Sequence, residues 1–110
     1  MNPYKIKQQK LTKDMKDKAR KLVIYLREDY KEYGRRVGSP KTSYDFETYL
    51  TREVKNGVVT SNSPIKEIFY ELVLRISFPL RNLGFTATDI HTYRWNVNRS
   101  EYEHESTEIW

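Results

Sequence analysis

Seven apolar side chains, Leu11, Met15, Ala19, Leu22, Leu26, Tyr30 and Tyr33, recur at spacings of 4, 4, 3, 4, 4 and 3 through the first third of the chain. At 3.6 residues per turn these positions share one side of a helix, with the intervening charges on the other. No other feature constrains the fold as strongly, because a long amphipathic helix needs a surface to cover. Thr12 is placed to cap the first turn, and Asp14 lies near the positive end of the helix dipole. Gly34 or Gly38 can stop the helix before Ser39-Pro40. The spacing is also nearly heptad over two heptads, so the stripe serves either as intramolecular core or as the seam of a homodimer.

The same logic predicts further helices. Ser43 can cap a second one, with Asp45 in its first turn and Phe46, Tyr49, Leu50 and Val54 as its apolar stripe. Asn56-Gly57 supplies turn chemistry, and the β-branched run Val58, Val59, Thr60 allows one short extended segment. Ser63-Pro64 opens a third helix, whose broad apolar face holds Ile65, Ile68, Phe69, Leu72, Val73 and Ile76. Pro79 should break that helix near Ser77 or Phe78 and begin a short fourth one reaching Leu83. The expected fold is therefore all-α, a small bundle of four or five helices. Residues 1–10 are expected to form a flexible basic arm, 11–99 a single helical domain and 100–110 an acidic tail.

Pro79 to Val97, PLRNLGFTATDIHTYRWNV, resembles the helix-turn-helix unit of DNA-binding proteins. Gly84 fits the turn, Thr86 the cap of the next helix, and Asp89 the capping-box position. Ile90, Tyr93 and Val97 would pack on Leu80 and Leu83. Leu80 departs from the pattern, since a small residue is usual four positions before the turn glycine, and Tyr93 is bulkier than the usual branched aliphatic. The resemblance covers about twenty residues. It implies a recognition helix from Thr86 to Val97 in which Thr88, His91, Thr92, Arg94 and Trp95 meet base edges, phosphates or thymine methyls. Lys5, Lys7, Lys10 and Arg99 would hold phosphates. A plain helical hairpin around Gly84 is the alternative.

Charge supports a polyanion partner. The net charge of +5 is divided unevenly: residues 1–37 carry +7, residues 38–99 carry +2 and residues 100–110 carry -4. Such a gradient accompanies basic surfaces for phosphate, and equally the exposed lysine-rich helices of many other proteins. A mean hydropathy of -0.85 describes a polar chain, but 14% aromatic residues argue that it folds. With no cysteine, neither disulfides nor thiolate metal sites are available. No apolar run suits a membrane span or a secretory signal, so the expected location is cytoplasmic.

Enzyme chemistry finds little support, and no cofactor is expected. His91 and His104 are thirteen residues apart without a metal-binding motif and read as ordinary surface residues. The four glycines form no phosphate loop. Asp45, Glu53 and Lys55 resemble the D...ExK set of metal-dependent nucleases, although a helix would point Glu53 and Lys55 apart. The leading expectation is a small DNA-binding protein, such as a transcriptional regulator. A non-enzymatic protein-interaction module or inhibitor is the alternative, with the nuclease a remote third.

Overall fold

The computed structural model describes residues 3–8, 10–32, 40–80 and 84–109, and it overturns the all-α expectation. Elements follow the order β1 (Tyr4–Ile6), α1 (Lys13–Glu32), β2 (Lys41–Arg52), β3 (Ile65–Leu80), β4 (Phe85–Asn96) and β5 (Glu101–Ile109). The strands form one antiparallel sheet in the order β1-β2-β3-β4-β5.

Helix α1 forms as its spacing demands. Thr12 Oγ1 accepts the Met15 amide at 3.2 Å, capping the first turn. Leu11, Met15, Ala19, Val23 and Leu26 are buried against the sheet, so the stripe is intramolecular core. Tyr33 and the expected helix stops at Gly34 and Gly38 lie outside the described residues.

The second and third predicted helices are strands, for a shared reason. Ile68, Tyr70, Leu72, Leu74, Ile76, Phe78 and Leu80 recur at every second position of β3, and this period of two places all of them on the face that α1 covers. Their partners on β2 alternate too: Thr42, Tyr44, Phe46, Thr48 and Leu50 share that face, whereas Lys41, Ser43, Asp45, Glu47 and Tyr49 line the opposite, open face. Val73 and Phe69 on the open side of β3 are also buried, so this central strand is apolar on both faces. An apolar run of that kind satisfies helical spacing by default, which is why positions 65, 68, 69, 72, 73 and 76 mimicked a helix. Ser43 and Ser63 cap nothing.

Pro79 does not break β3. It lies past the last β2 partner, Lys41 opposite Ser77, where β3 has a neighbour on one side only and a missing donor is tolerated. Gly84 does reverse the chain, at φ 71°, but between β3 and β4. Among the described residues there is no helix-turn-helix: β4 occupies Phe85–Asn96, and its β-branched Thr86, Thr88, Ile90 and Thr92 suit a pleated surface. The residues read as arm and tail supply the two sheet edges, β1 and β5.

Two linked clusters make the core. Ala19, Leu72, Leu74 and Ile76 are fully enclosed with Tyr93 beside them, and Leu11 and Met15 pack on Trp95. The packing partners of α1 on β3 run from Tyr70 to Phe78. The β2–β3 hairpin continues past that point, and the molecule measures 55 × 30 × 20 Å. Among the described residues no helix is long and apolar enough to cross a membrane.

Candidate functional site

Strand alternation scatters the side chains that a recognition helix would have gathered. Thr88, Thr92 and Arg94 project on the open face, whereas His91 and Trp95 face α1. Trp95 is buried against Leu11 and Met15, its ring edge-on to Tyr102 at 4.8 Å, and is closed to a base. Thr88 shares a 3.0 Å hydrogen bond with Ser77. Lys5 Nζ lies 3.1 Å from Glu47, and Arg99 in the β4–β5 turn lies 3.5 Å from Glu101. Lys7 and Lys10 are exposed before α1. The nuclease set is split: Glu53 and Lys55 line one shallow pocket of the β2–β3 connection, and Asp45 lies apart from them. Asp45 pairs with Arg75 at 3.0 Å, and Glu53 follows eight residues on, roughly 25 Å along an extended chain.

The centre of the open face is a lattice of paired charges. Arg94 lies over the Phe69 ring at 3.9 Å and reaches Glu105 at 3.2 Å, while Tyr49 stacks on the same ring from β2. Tyr49 donates to Glu47 at 2.6 Å, and that bond, with burial, raises the phenol well above its usual range. Burial alone would raise Glu47, but bonds from Tyr49 and Lys5 and the Lys5 charge hold it lower. Glu71 is pushed up to about 7, first by desolvation and then by its hydrogen bond to Glu105 and that carboxylate's charge, with Arg94 opposing.

Beyond the helix, the β2–β3 hairpin forms an arm. Lys55 and Val58 exchange both backbone hydrogen bonds, at 3.1 and 2.9 Å, around an Asn56-Gly57 turn. Its φ values of 53° and 74° make it the primed turn that suits twisted strands. Arg52 Nη1 donates to the Ser63 carbonyl at 2.6 Å, the Glu53 amide to Pro64 at 2.8 Å, and the Thr60 amide to Ser63 Oγ at 2.9 Å, so the loop is braced throughout. Val54, Val58, Ile65 and Ile68 are nonetheless 52, 57, 54 and 43% exposed, and Tyr4, opposite Leu50, is 53% exposed. A shallow pocket lies between Tyr4, Leu50, Arg52 and Val59.

A second polar assembly joins α1, β4 and β5. Tyr30 Oη donates to Asp89 Oδ2 at 2.5 Å and lies 2.9 Å from His91 Nε2. Thr107 Oγ1 lies 3.2 Å from His91 Nδ1 and 2.7 Å from His104 Nε2. Burial, then the charge of His104, lowers the His91 pKa, with Asp89 opposing. The cause of this meeting is a β-bulge: Thr92 pairs with Ser106 but Tyr93 with His104, leaving Glu105 as the extra residue. His104 and Thr107, three apart, therefore share the face of His91. Strict alternation would separate them, so nothing in the sequence spacing exposes the pair.

The chain matches no family model, no curated protein and no solved structure among those compared with it, and its function is read from this geometry alone.

Proposed function

We propose that the protein is a non-enzymatic protein-binding module that seats a partner on the apolar end of its β2–β3 arm. One observation carries this reading: four branched aliphatic side chains, Val54, Val58, Ile65 and Ile68, stand half exposed on a braced hairpin that projects past the helix. Half-exposed aliphatics on a pre-ordered loop lose little entropy on binding and gain apolar burial. Arg52 and Tyr4 line the shallow pocket with Val59 of the same hairpin, and both residue types are common anchors in protein interfaces. The DNA reading has lost its recognition helix. What favours polyanion binding now is the exposed row of Lys13, Lys16, Arg20, Lys21 and Arg27 on α1, a surface suited to phosphates without base readout.

The test compares the wild type with Val58→Asp and Ile65→Asp in quantitative pull-downs from the source cell, with Lys16→Glu as a control on α1. A protein retained by the wild type and the control but lost from both arm variants, with circular dichroism unchanged, supports the arm. Partners that survive both arm substitutions reject it. Steeply salt-dependent binding of labelled duplex, reduced only by Lys16→Glu, would move the function to the helix.

A further inference from the structure

We propose that His91 and His104 form a two-histidine site for a divalent transition-metal ion of the zinc class, with Tyr30 and Asp89 holding the His91 ring in a ligand's orientation. The hydrogen bonds assign the protons. A carboxylate oxygen only accepts, so the Tyr30 hydroxyl proton goes to Asp89. The Tyr30 oxygen then accepts from His91 Nε2–H across 2.9 Å. In the neutral ring this leaves a lone pair on Nδ1, which takes the Thr107 hydroxyl proton at 3.2 Å. Thr107 Oγ1 in turn accepts from His104 Nε2–H at 2.7 Å.

The chain of donors runs from His104 through Thr107, His91 and Tyr30 to Asp89. Its consequence is chemical. Metal-bound histidines characteristically give their second N–H to a carboxylate or other fixed acceptor, which sets the tautomer and aims the ligating nitrogen. His91 already has that arrangement, with its Nε2–H given inward and its Nδ1 lone pair turned toward β5. His104 Nε2 converges on the same Thr107 hydroxyl, and a shift of its proton to Nδ1 frees the nitrogen at little cost. With Thr107 turned aside, both nitrogens aim at the place of its hydroxyl, where the ion would sit about 2 Å from each. The His91 and His104 ring centres lie 6.0 Å apart, and Tyr93 limits the motion of both rings. The bulge at Glu105 places His104 and Thr107 on this face, and such bulges commonly re-aim a side chain.

The ligand set is small. Among the described residues no three His, Cys, Asp or Glu side chains converge on one point. The ion would be held by two imidazoles, with water in its remaining positions. Imidazole pairs favour zinc, nickel and copper over magnesium or calcium, and copper should bind most tightly.

These are the only histidines in the chain, which makes the test clean. Zinc chloride and nickel chloride are titrated by calorimetry into the wild-type protein, into His104→Ala and into His91→Gln, the latter keeping polar contacts near Tyr30. The expected result is one zinc per chain, at least tenfold weaker binding in each variant, and no saturation by magnesium. Tyr30→Phe should retain the stoichiometry and weaken binding by about tenfold, the effect of losing an outer-shell partner. Before zinc is added, nitrogen-15 NMR should show His91 as the Nε2–H tautomer. Equal zinc affinity in wild type and His104→Ala, or an Nδ1–H tautomer at His91, overturns the proposal.

Discussion

The sheet contains two regions built from the same strands with opposite relations to solvent. Under α1, Leu72, Leu74 and Ile76 are fully buried; farther along the same face of β3, Ile68 is 43% exposed. Leu74 and Ile68 are six positions apart and no change of secondary structure intervenes. Helix cover makes the difference. The covered half is stabilised by packing of side chains from distant parts of the chain, whereas the arm is held by hydrogen bonds local to its turn and loop. Packing gives the first region stability, and bracing gives the second a fixed shape with apolar surface to spare.

The largest expected effect breaks the comparison at its centre. Leu74→Ala should destabilise the fold by about 3 kcal/mol in urea titrations, as a truncation in a filled core does, and Ile68→Ala by less than about 1 kcal/mol. Similar losses at both sites would mean that the arm is as firmly packed as the core. Next in size is Gly57→Ala. The backbone there has φ 74° with open space around it, so the loss of about 1 kcal/mol would come from conformational strain alone. Hydrogen exchange should then report the opening of the arm before that of α1. Thr12→Ala removes the cap of α1 and should lower stability by about 1 kcal/mol while leaving arm exchange unchanged.

The smallest effect is one of pH. Glu71 titrates near 7 in the fold against 4.5 for its ordinary value. Its raised pKa contributes stability below about 4.5, and that contribution is lost as pH rises through 7. Glu71→Gln should remove this component, so the difference between wild type and variant in urea midpoint should change across pH 4.5 to 7. A pH-independent difference would show that Glu71 does not share its proton with Glu105.

The parts of this fold that were legible in the sequence are those where one local rule acted without competition. The α1 stripe and the Thr12 cap read correctly, and so did the Asn56-Gly57 turn. Gly84 marked a real reversal but not its kind, since a left-handed glycine closes hairpins of either class. β3 was misread because apolar residues on both its faces satisfy periods of 3.6 and 2 together. The alternating series from Ile68 to Leu80 carries the strand signal, and the spacing of three and four in the same residues competes with it. In β4 the β-branched Thr86, Thr88, Ile90 and Thr92 argued for extended backbone, against a resemblance that rested on turn and cap residues. The His91–His104 pairing had no local signal at all, because it depends on a bulge that only strand pairing reveals.

The acidity of β5 has one more consequence, concerning copies of the molecule that meet in solution. A nine-residue edge strand offers unpaired backbone groups as a template for another strand. Two such edges aligned with each other would bring Glu101, Glu103, Glu105 and Glu108 of each copy into one row, and like charges set opposite one another resist pairing. The carboxylates thus act as a guard against polymerisation by sheet extension, and acidification, by neutralising them, would lower that guard.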